Sequence, residues 1–229
     1  MVLTPARRDA LGRSPLLKPL VFAAALLPLA ELLLRLGGLG LWGSLGANPV
    51  EAMVRFSGDW ALRMLLVALA VTPLRLLTGL GWLARLRRML GLFAFFYAAL
   101  HLLLYAGLDQ GFDLGRIWAD VVKRTYITVG MAAFVVLAAL AATSPKAMVR
   151  RLGGARWQAL HRLVYPAAVL AVAHHALMVK ADYAQPILHG VVLAALLAAR
   201  PLLKGWRRRR VEGSPPGLNP KRQRLSHRS

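Results

Sequence analysis

Six histidines are the residues of this chain whose type and spacing can do chemistry: His101, His161, His174, His175, His189 and His227. Four of them, His101, His161, His174 and His175, fall inside long apolar runs that hold no Asp or Glu. An ionisable side chain is costly in hydrocarbon unless it finds a partner. Neutral imidazole is also the commonest metal ligand in proteins, and iron in a haem is the partner that best fits these positions. The chain has no cysteine, which removes disulfides, thiolate metal sites and the Cys-x-x-Cys-His attachment of c-type haem. Any haem is therefore held non-covalently. Zinc is a poor match, with no His-Glu-x-x-His and no carboxylate in the same runs. A single intramembrane histidine is commonly a helix–helix hydrogen bond. What points to haem is recurrence, at two depths and in two spans. The competing reading, a transporter with histidine proton relays, needs intramembrane carboxylates that are scarce here.

The elements that must hold these histidines follow from composition. Of 229 residues, 58% are hydrophobic, against ~45–50% in soluble domains. Several apolar runs reach the ~20 residues that cross roughly 30 Å of hydrocarbon. The expected fold is all-α: a polytopic membrane protein with a six-helix transmembrane bundle. The spans are expected at 16–36, 60–77, 88–108, 126–143, 157–179 and 187–203. Residues 1–15 then form a cytoplasmic segment, 16–205 the transmembrane domain, and 206–229 a basic tail expected to be disordered. The basic start resembles a signal peptide, but the first run is long and no small-x-small site follows, so it reads as a retained span. Asn48-Pro49 reads as a turn, Pro73 as a kink or end of the second span, and 109–125 as a glycine-broken segment of mixed charge.

The net charge is +21. Counted by alternate loops, one side holds 23 basic residues against Asp9 and Glu212, and the other holds seven of each sign. The positive-inside rule puts both termini in the cytoplasm (N-in/C-in). Topology and anionic lipid explain the basic balance, so no nucleic-acid partner is needed.

Spans three and five run the same way. His101 lies roughly 20 Å above Arg88, and His174 roughly 25 Å above Trp157, both in the outer half. His161 lies about 6 Å above Trp157, in the inner half. Two spans thus offer imidazoles at similar depth, the arrangement that grips one iron from both faces and favours outer-sphere electron transfer. Counting roughly four turns back from His101 reaches Arg87. Guanidinium is no iron ligand but pairs well with a propionate. The choice between His174 and His175 stays open on spacing. A step of 14 from His161 returns to within about 40° of the same face, and a step of 13 lands roughly 140° away, with Pro166 between to alter the twist. Phe93, Phe95, Phe96, Tyr97, Tyr105, Trp157 and Tyr165 flank the histidines. His189 is expected at the outer, watered mouth of the sixth span, and His227 falls in the tail.

Arg87-Arg88-Met89-Leu90-Gly91-Leu92, Ala98-Ala99-Leu100-His101-Leu102, Trp157-Gln158-Ala159-Leu160-His161-Arg162-Leu163-Val164-Tyr165, and His174 with Val179-Lys180 together resemble the MsrQ (formerly YedZ) family. That family is a branch of the ferric-reductase-like transmembrane haem proteins. The resemblance covers about residues 15–205. It implies a haem b protein of the bacterial inner membrane that passes electrons to a periplasmic molybdopterin enzyme, MsrP, which reduces methionine sulfoxide in oxidised proteins. It associates the chain with the quinol pool or a flavin reductase as donor and with FMN as a further cofactor. It carries His101, His161 and His174 over as haem-iron histidines and Arg87 as a residue facing the inner site. His175 has no counterpart in the family pattern and ranks behind His174. No residue set identifies an FMN or quinone pocket, and the basic tail is longer than the family requires. A stand-alone ferric or b561-like reductase is the runner-up reading, although a fused flavin domain is missing.

Overall fold

The computed structural model describes residues 14–41 and 43–212. These residues are helical, with no strand among them. In order they form α1 (Leu17–Leu36), α2 (Pro49–Thr78), a 3-10 turn (Gly81–Arg85), α3 (Arg87–Leu104) continuing into a π-helical turn (Tyr105–Asp109), α4 (Leu114–Lys123), α5 (Thr125–Ala142), α6 (Lys146–Leu152), α7 (Gly154–His161), α8 (Val164–Met178) and α9 (Ala184–Glu212). Five stretches are long and apolar enough to cross a membrane: Leu17–Leu36, Pro49–Thr78, Gly81–Asp109, Thr125–Ala142 and Ala184–Leu203. The chain is thus a multi-pass, all-α membrane protein.

The expected span at 157–179 is not one helix. Pro166 has no N–H to give the Arg162 carbonyl, so the Tyr165 amide bonds that carbonyl instead, at 3.1 Å. The Leu163 amide closes a similar tight turn on Leu160 at 3.0 Å. Helix α8 then starts at Val164 with its proline in the first turn, where proline is tolerated. Its 15 residues extend about 22 Å.

Helix α2 starts well before the expected residue 60. Asn48-Pro49 is a helix start: the Asn48 side chain accepts from the Glu51 amide at 3.2 Å, and Pro49 occupies the first helical position, both favoured there. The helix also passes through Pro73 and ends at Gly79, whose φ of 75° is a left-handed cap that glycine takes without strain. Pro73 leaves the Leu69 carbonyl without its helical donor. Arg200, from α9, supplies one: Nη2 donates to that carbonyl at 2.7 Å. The same guanidinium donates to the Tyr165 hydroxyl and lies 4.7 Å from that ring's centre.

Beside a second proline a side chain again joins the helix backbone, here by bridging the neighbouring pair. Pro28 lies inside α1, and the Tyr97 hydroxyl, from α3, enters the backbone beside it. It accepts from the Leu29 amide at 3.2 Å and donates to the Ala25 carbonyl at 2.7 Å, the pair an unbroken helix bonds directly. Tyr97 is 1% exposed. Around it the core gathers Leu62, Leu65 and Leu69 of α2, Phe93 and Ala94 of α3, Leu137 of α5, Ala167 and Ala168 of α8, and Leu193 of α9. Leu103, Val135, Val169 and Val191 point outward, as lipid-facing side chains do. The most extensive helix contacts are α2 with α3 and α5 with α8.

Two further departures concern loops. The segment 109–125 contains α4, a short helix capped by Asp113, which accepts from the Arg116 amide at 3.1 Å. Helix α9 runs through the arginine cluster to Glu212. The expected tail beyond it, with His227, and the expected amino-terminal segment up to residue 13 lie outside the described residues.

Replacing Tyr97 by Phe removes the bridging hydroxyl from two buried backbone groups. A loss of about 1–3 kcal/mol of stability is expected, read as a lower melting temperature in detergent. An unchanged melting temperature would show that α1 does not depend on the bridge.

Candidate functional site

Two histidines from different helices are held by the same device. His101, on α3, places Nδ1 2.8 Å from the Val54 carbonyl of α2. Its ring lies over Gly58, where a Cβ would stand 2.9 Å from Nδ1. His174, on α8, places Nδ1 2.6 Å from the Tyr126 carbonyl of α5, and a Cβ on Gly130 would stand 2.6 Å from Nδ1. In each case a carbonyl at position i and a glycine at i+4 make the seat. A carbonyl only accepts, so Nδ1 carries the proton and donates. That leaves Nε2 with a bare lone pair, the tautomer a metal ligand needs.

The two ring centres are 6.1 Å apart, with planes at 76°. A first-row metal–imidazole bond is ~2.0–2.1 Å, and the ring centre lies ~1.1 Å behind the nitrogen. Two imidazoles on opposite sides of one metal therefore have centres ~6.2 Å apart, matching the pair. Both line a cavity of about 380 Å³, within the ~300–1,000 Å³ of small-molecule sites. Its walls include Leu62, Leu65, Ala98, Phe134, Leu137 and Ala171, while Arg55 and Arg124 also contribute. A bare metal ion is not served: the described residues hold no group of three or more His, Cys, Asp or Glu placed to bind one. A largely apolar cavity with two imidazoles at this spacing suits a metal whose remaining ligands come from a flat, greasy macrocycle. An iron porphyrin fits that description.

His175 and Asp59 line the same cavity, and His175 is paired there with other groups. His175 Nδ1 is 3.7 Å from Asp59 Oδ1, and its ring centre is 5.4 Å from that of His189. Arg63 extends this row, 3.9 Å from Asp59. The straight-helix phase that favours His175 assumes unbroken helix from His161, and the turn at Arg162–Leu163 interrupts it. His189 is 6% exposed, buried and not at a watered mouth. Asp59 is a carboxylate that the reading of the histidine spans passed over, because it belongs to the neighbouring α2.

His161 and Arg87 are not brought to the pair. His161 ends α7, its ring stacked on Trp157 at 3.9 Å. Its Nε2 is 3.1 Å from Thr143 Oγ1, and Trp157 Nε1 donates to the Thr143 carbonyl at 2.9 Å. Thr143 and Tyr126 lie at opposite ends of α5, ~25 Å apart. Arg87 starts α3, exposed and within electrostatic reach of both His161 and Arg200. Gly58 and Gly130 are the site residues that sequence reasoning missed. An isolated glycine inside an apolar helical run is the available signal for close approach.

Residues 57–172 match the family model described as ferric reductase like transmembrane component. That stretch contains both glycine seats, His101 and His161. A protein of Rhodospirillum rubrum named protein-methionine-sulfoxide reductase heme-binding subunit MsrQ is 58% identical over 208 residues, covering 91% of this chain and 95% of that one. This chain belongs to the MsrQ family. Relatives of the same name in Herminiimonas arsenicoxydans and Caulobacter vibrioides are 48% and 47% identical, over 89% and 84% of this chain and 92% and 88% of theirs. No solved structure matches the chain. In this MsrQ-family chain the histidine pair is carried on the two most extensively packed helix pairs, which fixes its spacing.

Gly130→Ala is expected to drive the His174 ring off the Tyr126 carbonyl. Haemin titration followed at the Soret band should show affinity weakened at least tenfold. Gly91→Ala, whose Cβ meets nothing within 4 Å, should titrate like the parent. Equal affinity for the two variants would show that the glycine seat does not set the histidine.

Proposed function

We propose that this chain is a haem b electron-transfer subunit of the bacterial inner membrane, serving a periplasmic molybdopterin methionine sulfoxide reductase of the MsrP type in the repair of oxidised proteins. The observation that carries the reading is the pair of imidazoles 6.1 Å apart, each with Nδ1 held by a backbone carbonyl. The curated relatives are named heme-binding subunits of a methionine sulfoxide reductase, which supports both the haem and the partner.

In this reading His101 and His174 would hold the haem iron. The haem supplies a one-electron iron couple. The residues do the rest. Val54 and Tyr126 hold the tautomers, and Gly58 and Gly130 let the rings lie against backbone. Iron held by both imidazoles would be suited to outer-sphere electron transfer. The apolar walls limit water around the metal and so help set its potential. His161, with Thr143, Trp157 and Arg87 around it, marks the opposite end as the entry for electrons. There His161 would hold a second haem, with Arg87 as the cation available to its carboxylates. The quinol pool or a cytoplasmic flavin reductase is the donor, and FMN the further cofactor. These last assignments rest on family resemblance.

The topology proposed is six passes with both termini in the cytoplasm. α7 and α8 together make one pass. In support, His161 meets Thr143 at one end of α5 and His174 meets Tyr126 at the other, so the broken pair runs the length of a spanning helix. The loop charges give the orientation.

His101→Ala and His174→Ala should each abolish the low-spin absorption spectrum of the purified protein and lower the pyridine haemochrome yield. His175→Ala should keep both. Full low-spin absorption in His101→Ala would overturn the assignment.

A further inference from the structure

Helix α4 connects the end of one membrane span to the start of the next, on the side of the bundle that holds the histidine pair. At about 100° per residue, Ile117, Val121, Leu114, Trp118 and Val122 form one apolar arc of roughly 140°. Half of that arc is covered: Ile117 and Val121 are partly buried, and the Val121 carbonyl accepts from Thr128 of α5. The other half is bare. Leu114, Trp118 and Val122 are 78%, 69% and 66% exposed, one stripe at i, i+4 and i+8. Arg116 and Lys123 project from the opposite face, roughly 160–170° from the arc's centre. Leu103 and Leu108, at the end of the preceding span, are also exposed.

The covered side of α4 reaches the cavity. Asp120 Oδ2 accepts from the Tyr105 hydroxyl at 3.0 Å, and its Oδ1 pairs with Arg124 Nε at 3.0 Å. Tyr105 and Arg124 both line the cavity of the histidine pair.

We propose that α4 is seated in lipid and braces the cavity rim. Its Leu114–Trp118–Val122 stripe lies at the boundary of headgroups and acyl chains, and Asp120 thereby holds Tyr105 and Arg124 in place. An amphipathic helix with a basic polar face binds a bilayer in this way, by apolar burial and attraction to anionic lipid. Tryptophan is the side chain enriched at that depth. The occupant is lipid because both ends of α4 adjoin membrane spans, which keeps the stripe at the bilayer surface whether or not another protein is present. The brace rests on the cavity being the haem site, and the seat rests only on the spans crossing the membrane.

The chain lacks cysteine, so single cysteines can be placed and labelled with bimane in phosphatidylcholine/phosphatidylglycerol liposomes. Trp118→Cys should be quenched several-fold more by a shallow doxyl lipid than by aqueous iodide, and Arg116→Cys the reverse. Val135→Cys, on the outward face of α5, reports on the spans themselves. Iodide quenching of Trp118→Cys equal to that of Arg116→Cys, with Val135→Cys still lipid-quenched, overturns the seat. Loss of lipid quenching at Val135→Cys as well overturns the membrane reading on which the seat stands. Shielding of Trp118→Cys only after the periplasmic reductase is added overturns lipid in favour of protein docking. The brace is read separately, as haem transfer to apomyoglobin. Trp118→Asp and Asp120→Asn should each speed it several-fold, and unchanged rates in both overturn it.

Discussion

The structure depends on two backbone carbonyls that each accept from the Nδ1 of a histidine on another helix. Val54 and Tyr126 already belong to helical ladders, so each carbonyl uses its second lone pair to fix a ring. The contact is possible only because residues 58 and 130 are glycine. A side chain at either position would enter the imidazole, as the 2.9 Å and 2.6 Å approaches show. The pair is therefore specified less by the histidines than by the absence of a methyl group one turn along the facing helix. Metal-ligating histidines in general rely on such an outer partner for tautomer and aim.

Around that pair, prolines inside helices α1 and α2 become cross-links. Each opens the ladder of its helix, and in a hydrocarbon setting an open backbone group is expensive unless protein satisfies it. Arg200 answers the carbonyl freed by Pro73, and Tyr97 bridges the Ala25–Leu29 pair next to Pro28. One ties α9 to α2 and the other ties α1 to α3. Arg200 also shows why a cation persists in an apolar helix. Its charge is spread over a backbone carbonyl, a tyrosine hydroxyl and the face of that same ring, so it does structural service where a carboxylate partner would otherwise be required.

Much of this was legible from residue order, and what was not has physical causes. Apolar run length located five of the helices because hydrocarbon thickness imposes a minimum. That His101 and His174 come to one level followed from rise per residue alone, and their ring centres lie 6.1 Å apart. The fifth run failed as a single helix because one missing N–H, at Pro166, outweighs the hydropathy of its neighbours. The same break undid the phase argument for His175, since a count in turns holds only along unbroken helix. Asp59 was missed because the start of α2 was placed too late, at a tryptophan, when Asn48-Pro49 was a cap. Helix α4 was hidden by its charges, which a hydropathy average cancels although its two faces are cleanly divided. The glycine seats leave only the faintest trace in a sequence, since a residue that matters by lacking atoms looks like any other small one.

The interruption at Arg162–Leu163 has one more consequence. A continuous helix transmits torque, so a ligand or partner that twisted the His161 end would rotate His174 with it. Tight turns in place of the regular ladder let the two segments pivot separately. On the proposed topology the His174 end would then be less tightly coupled in twist to the His161 end than an unbroken helix would make it, although a single stretch of chain supplies both histidines.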